Sequence, residues 1–146
     1  MLKSKNTLQI MTTDKQNELL IEVDENNDIV GPITRGEAHN GSNRIYRTIF
    51  ILLKNKDNRF LIQKRSGTKD LFPNCWDLNV GGHVLWKDEY LTSAIRELEE
   101  ELGIKAKDDE MKFLAEVPVS LPSSREIFHV FEYNLKESDK IKLEVS

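Results

Sequence analysis

Along most of the chain, short β-type runs alternate with polar punctuation. Residues 1–17 (MLKSKNTLQIMTTDKQN) carry no period and are expected to be a flexible leader. From Glu18 the pattern sharpens: ELLIEV and IVGPITR flank the turn DENND, which predicts a hairpin over 18–35. RGEAHNGSN follows as a connector with room for one helical turn. RTIFILLKNKDNRFLIQKR predicts a second hairpin around Asn55 to Asn58. Its uninterrupted IFILL suits a strand buried on both faces. SGTKDLFPN is a loop by its Gly, Pro and Asn content, WDLNV a short strand, and GGHVLWKD a glycine-opened loop. Two more strands are expected over Lys112–Ser120 and Glu126–Leu135.

One stretch breaks this rhythm. Glu89 to Leu102 has helical periodicity and stops at Gly103, a C′ glycine. With Glu97 at 0° and a step of about 100° per residue, Leu91, Ala94, Ile95, Leu98 and Leu102 form one apolar stripe. The order of elements is therefore mostly strand with one strong helix in the middle. It predicts an α+β fold, a mixed sheet flanked by helices as an α/β/α sandwich, opening on an N-terminal β-hairpin. At 146 residues the chain is one domain's worth of core, assigned to residues 18–146.

Composition narrows the function. Lys plus Arg number 21 and Asp plus Glu 25, for a net charge of −4, which argues against a general nucleic-acid binder. Cys75 is the sole cysteine, so no internal disulfide exists, and the N-terminus has no apolar signal core; a cytoplasmic protein is expected. The longest apolar run, Ile49 to Leu53, is too short to span a membrane, so no membrane partner is expected.

On the helix, Glu100 and Glu101 fall on either side of Glu97, while Glu99 lies about 200° away and points to solvent. Acids three and four residues apart repel by some tenths of a kcal/mol per pair, and Arg96 offsets only part of this. From these residues alone two readings stand: a solvated acidic stretch, or three carboxylates that bind a hard divalent cation, Mg²⁺ or Mn²⁺. The cluster abuts the apolar stripe and ends at a glycine. It follows a Gly81–Gly82 turn where backbone can approach a phosphate or metal closely.

The stretch from Gly82 through Asp88, Arg96-Glu97-Leu98-Glu99-Glu100-Glu101-Leu102 to Gly103-Ile104 resembles the Nudix box: Gly, five residues, Glu, seven residues, Arg-Glu-aliphatic-any-Glu-Glu-any-Gly-aliphatic. One position departs, Asp88, where the family has Glu. EVDENNDIVGPITRGEAH and QKRSGTKDLFPNCWDLNVGGHV also resemble the family's branch similar to isopentenyl-diphosphate isomerase, over about residues 18–135. The resemblance implies attack of water on a diphosphate linked to another moiety, with Mg²⁺ (or Mn²⁺) as cofactor. It implies metal ligands at Glu97, Glu100 and Glu101, with the Gly81 carbonyl completing the shell. One of these three, Glu97 by preference, instead serves as general base, with Arg96 orienting Glu97. Asp88 either caps the helix or serves the site as the box glutamate does. The resemblance further implies that the domain lacks a usual C-terminal strand and helix beyond Ser146.

Around this core, Arg47, Lys64, Arg65 and Lys69 are candidate phosphate ligands, and Gly82 and His83 are candidate ligand contacts. Arg44 stands with Arg47 at the start of the buried strand. His39 is expected at a cap or the surface, and His129 is expected to be a strand residue without a catalytic role. Trp76 and Trp86 are expected to anchor the core and a loop. Cys75 precedes Trp76 rather than following it, which is the wrong place for the isomerases' thiol, and it is expected to be inert beside an aromatic. The leading expectation is therefore a hydrolase of a small-molecule diphosphate. An isomerase and a non-catalytic diphosphate-binding module are the alternatives. A homodimer is compatible with everything above.

Overall fold

A ten-residue strand with apolar residues on both of its faces can meet two layers at once, and the fold is organised around one. The computed structural model describes residues 15–69, 72–78 and 80–141. Its elements in chain order are β1 (Leu19–Val23), β2 (Ile29–Thr34), α1 (Arg35–Ala38), β3 (Ile45–Lys54), β4 (Ile62–Lys64), β5 (Trp76–Leu78), β6 (Val80–His83), α2 (Tyr90–Leu102), a 3₁₀ turn at Asp108–Glu110, β7 (Lys112–Leu121) and β8 (Ser124–Asn134). β3 is the centre of a six-stranded mixed sheet in the order β2-β1-β3-β8-β7. β8 runs parallel to it along its whole length, from Ile45 opposite Arg125 to Lys54 opposite Asn134. The other edge of β3 is shared: β1 pairs antiparallel at Tyr46 and Ile45, and β6 pairs antiparallel from Thr48 to Ile51.

Period-2 alternation assigns the two faces of β3. Ile49, Ile51 and Leu53 are fully buried on one face, where they pack with Ala94, Leu98 and Leu102 of α2 and with Ile127, Phe131 and Tyr133 of β8. Phe50 and Leu52, on the other face, are only half-buried. IFILL is thus buried fully on one side only. α2 forms as its periodicity predicts and ends at Gly103 in the left-handed conformation, φ 71°. Its N-cap position is taken by Glu89, which makes no side-chain cap bond, so Asp88 is not the cap. α1 is one turn with a capping box: the Thr34 hydroxyl accepts from Glu37 N, and the Glu37 carboxylate accepts from Thr34 N.

The expected hairpin at Asn55–Asn58 forms its turn and only its first rungs, Asn55 N donating to the Arg59 carbonyl and Leu61 N to the Leu53 carbonyl. Asn55 Oδ1 accepts from the backbone of Asp57 and Arg59, and Lys54 bridges Phe60. β4 then leaves the main sheet and pairs with β5 instead, Ile62 opposite Leu78 and Lys64 opposite Trp76. WDLNV with the glycines after it accordingly supplies strands of two different sheets. Trp76 is 70% exposed and anchors no core, and Cys75 is exposed rather than packed away, whereas Trp86 packs against the core. Most of the expected leader, residues 1–14, lies outside the described residues, and Gln16 already accepts a hydrogen bond from Gly36 N at 2.8 Å. Among the described residues no helix is long and apolar enough to cross a membrane.

Leu98 has no exposed surface and joins α2 to the buried face of β3. Leu98→Ala is expected to cost about 2–5 kcal/mol, measured as a shift in denaturant midpoint at unchanged m.

Candidate active site

A cavity of about 410 Å³ opens on the sheet face away from the α2-packed core. Its floor comes from Thr48 and Phe50 of β3, Gly81 and His83 of β6, Glu126 and Phe128 of β8 and Val119 of β7. Cross-strand register explains this grouping: Thr48 lies opposite His83 and Phe128, and Phe50 opposite Gly81. Glu97, Glu100 and Glu101 of α2 reach the same cavity past β6, and Arg35, Arg65 and Lys69 line it as well. Glu99 is not in the lining; it is exposed and faces Lys105 at 3.9 Å.

Gly82 is what lets α2 come so close. A Cβ at this position would lie 2.6 Å from both Cγ and Oε1 of Glu97, so any side chain there would displace the carboxylate. Held beneath β6, the Glu97 side chain keeps 15% of its surface exposed. Burial pushes its pKa up to about 7, against the lowering effect of Arg96. Burial also lifts Glu101 to about 8, with the charge of Glu97 adding to the rise and a hydrogen bond from Gln63 opposing it. Arg96 clamps the cluster. Its Nη1 is 2.9 Å from Glu97 Oε1 and 3.2 Å from Glu100 Oε2, and its Nη2 donates to the His83 carbonyl. Arg96 Nε is buried without a hydrogen-bond partner; Asp88 Oδ2 stops 3.9 Å short of it and accepts instead from Ser93 Oγ at 3.3 Å. The box glutamate, one methylene longer, would span that gap.

This arrangement works against the helix that carries it. The last turn of α2 has no basic residue, and its glutamates sit at the negative end of the helix dipole. The donor set suits a hard divalent cation: carboxylates desolvated at the wall of a cavity, with one arginine to balance them. Among the described residues no three such donors are already gathered for coordination, and Glu100, exposed and turned to Arg96, would have to swing inward.

The sequence candidates separate accordingly. Gly81, Gly82, His83, Arg65, Lys69, Arg96, Glu97, Glu100 and Glu101 meet at the cavity. Arg47 does not: it faces the other side of β3, donates to Asn27 Oδ1 and the Asn27 carbonyl, and lies over the Tyr90 ring at 5.0 Å. Lys64 is also outside the lining, exposed on β4, because alternation turns it away where Gln63 reaches Glu101. His129 stacks on Tyr90 and pairs with Glu116 at 2.7 Å, away from the cavity. Tyr90 itself is pushed up to about 12 by burial. His39, expected at a cap, does form the C-cap of α1 but lines the cavity too. Its Nε2 is 2.9 Å from His83 Nε2, and Arg35 Nη1 is 3.3 Å from His83 Nδ1. A guanidinium only donates, so in the contact with Arg35 it is His83 Nδ1 that accepts. Sequence reasoning missed Arg35, Thr48 and Glu126. The alternation of RTIF and REIFHVF placed the last two on one strand face each, but only the parallel pairing of β3 with β8 brings them together.

A family model for the NUDIX domain matches residues 44–144, and the chain belongs to the Nudix family. An uncharacterized Nudix hydrolase of Pseudomonas aeruginosa is 42% identical over 88 residues, 60% of this chain and 52% of its own length. The isopentenyl-diphosphate Delta-isomerase 1 of Photorhabdus laumondii is 34% identical over 97 residues, 66% of this chain and 54% of its own. The chain thus spans about half the length of these curated relatives. A crystal structure from Deinococcus radiodurans superposes with a TM-score of 0.67 at 28% identity, covering 86% of this chain and 76% of that one.

Two substitutions test the geometry. Gly82→Ala is expected to lower turnover by at least about tenfold with little change in melting temperature, since it displaces a carboxylate rather than a core residue. Asp88→Glu is expected to give Arg96 Nε its partner, keeping or raising turnover and adding about 1 kcal/mol of stability, read from paired kinetics and melts.

Proposed function

We propose that this chain is a Mg²⁺- or Mn²⁺-dependent hydrolase that cleaves the diphosphate linkage of a nucleoside diphosphate or related organic diphosphate. The observation that carries the reading is the pair of desolvated carboxylates, Glu97 and Glu101, in the wall of a cavity that also holds Arg35, Arg65 and Lys69. Glu97, Glu100 and Glu101, with the Gly81 carbonyl, would hold the cation, which when bound would neutralise the diphosphate and make its phosphorus accessible to water. Arg65 and Lys69 bind phosphate oxygens from the β4 side, and Arg35 from the α1 side. One of the three, Glu97 by preference, would instead take the proton of the attacking water, since it lines the cavity beside Glu100 and Glu101. Arg96 fixes the Glu97 carboxylate by its 2.9 Å bond, and its tie to the His83 carbonyl fixes Arg96 in turn. The cavity of about 410 Å³ is of small-molecule size, and the net charge of −4 does not favour a nucleic acid. The isomerase alternative needs a thiol at the site, and Cys75 does not line the cavity.

Hydrolysis of a panel of nucleotide sugars, dinucleotide polyphosphates, oxidised nucleotides and prenyl diphosphates is expected to require Mg²⁺ or Mn²⁺. Turnover that persists in excess chelator would refute the metal assignment. Glu101→Gln should cut turnover by at least about tenfold while Glu99→Gln, on the solvent side, should change it little; equal losses would reduce the acids to general electrostatics.

The raised carboxylates also fix the sign of a pH effect. Both pKa values lie above the unfolded 4.5, so their contribution to stability is complete below about pH 4.5 and is lost as pH rises through about 7 to 8. The metal-free protein should therefore lose melting temperature over that window. Mg²⁺ should restore part of it on the alkaline side, where it replaces the departed protons.

A further inference from the structure

Arg65 lies within reach of two carboxylates, and it pairs with Asp77. β4 and β5 form a ribbon of their own, in which Gln63 stands opposite Asp77. The ladder continues one step further, Arg65 N donating to the Cys75 carbonyl at 2.8 Å. By period 2, Gln63 and Arg65 share one side of the ribbon, and Asp77 joins them as the cross-strand partner of Gln63. Lys64 and Trp76 take the other side and are exposed. The inner side meets the last turn of α2. There Gln63 Nε2 donates to Glu101 Oε2 at 3.4 Å, while Arg65 Nη1 lies 3.5 Å from Asp77 Oδ2. Arg65, Asp77 and Glu101 all line the cavity.

The choice of partner matters because of what Arg65 would otherwise do. A guanidinium is a rigid fork that fits a carboxylate through two parallel hydrogen bonds. Joined that way to Glu101, it would occupy both oxygens and cancel the charge that a divalent cation needs. The charge of Arg65 does act on Glu101, as does that of Lys69, and both oppose the rise that burial gives its pKa. Glu101 nevertheless receives the neutral amide of Gln63, which steadies the carboxylate and leaves its charge in place. Asp77 takes the guanidinium instead. With side chains 27% and 30% exposed, that pair is screened by solvent only in part.

We propose that Asp77 is a positioning residue: it holds the Arg65 guanidinium on the β5 side of the cavity and off Glu101, so that Glu101 stays open to a divalent cation and Arg65 to phosphate. The ribbon thereby keeps a cation-binding acid and an anion-binding base apart in one small cavity. The inference rests on the roles given above to Glu101 and Arg65.

Mn²⁺ alone is the probe, titrated calorimetrically into the full chain without substrate. Asp77→Asn should raise the Mn²⁺ dissociation constant by about threefold or more, the scale of a partly screened ion pair, with little change in melting temperature. In an Arg65→Gln background the same substitution should change it by less than about twofold, because no guanidinium is left to cross to Glu101. Asp77→Glu keeps the charge and should return binding to within about twofold of the unaltered protein. An unchanged constant in Asp77→Asn overturns the proposal, and so does a loss that persists in Asp77→Glu. An equal rise in both backgrounds overturns it too, since Asp77 would then be a cation ligand, a general charge or a prop for the ribbon. Asp77→Ser replaces Asp77→Asn should that variant fail to fold. Absence of Mn²⁺ binding by the unaltered protein overturns the metal reading and the proposal with it, whereas binding that Asp77→Asn leaves alone overturns the proposal only.

Discussion

The site depends on one close approach, the Glu97 side chain lying directly beneath the backbone of Gly82. Helices normally keep a side-chain layer between themselves and a sheet. Here the layer is missing at a single residue, so a carboxylate occupies the space a Cβ would take. That contact sets the depth of α2 under β6, and depth sets the rest. It buries Glu97 and Glu101 enough to raise both toward neutrality, and it brings Arg96 within reach of the His83 carbonyl. It also leaves Gly81 and His83 on the opposite face, on the cavity floor. Core packing of Ala94, Leu98 and Leu102 supplies the force that holds the helix there.

That force is set against a real electrostatic cost. Four glutamates crowd the second half of α2, with no base in its last turn and one arginine shared between two carboxylates. Arg96 is itself imperfectly served, its Nε buried and unbonded because Asp88 is short. A helix selected for stability alone would carry lysines at this end and a longer acid at 88. Strain of this kind is expected where a site, rather than the fold, dictates the residues.

Much of this is visible in the order of residues. The stripe of α2, its stop at Gly103, the outward turn of Glu99 and the placing of Glu97, Glu100 and Glu101 along one side of the helix follow from about 100° per residue, a local rule that tertiary contacts did not override. The β1–β2 hairpin, β7 and β8 likewise followed from alternation and turn residues. Where the reading failed, the deciding contact was remote. β4 looked like the return strand of a hairpin because its composition is right, but strand pairing depends on partners, and β5 offered a better one. Arg47 looked like a phosphate ligand by its position at a strand start. Whether a strand residue faces the core or the cavity depends on the register of the whole sheet, and the register turned it toward Tyr90 and Asn27.

The sequence by itself therefore determined the helix, the strand inventory and the acidic cluster, because each is written in spacings of four residues or fewer, where backbone geometry dictates which side chains meet. Only the tertiary structure decided what faces that cluster. Thr48 and Glu126 lie 78 positions apart and meet because β3 and β8 run parallel in register, while His39 meets His83 across 44 positions because α1 packs over the same face. No local rule fixes such pairings; they follow from how the sheet minimises exposed apolar surface as a whole. The same global packing that hides Ile49, Ile51 and Leu53 under α2 leaves Phe50 and Phe128 facing the cavity.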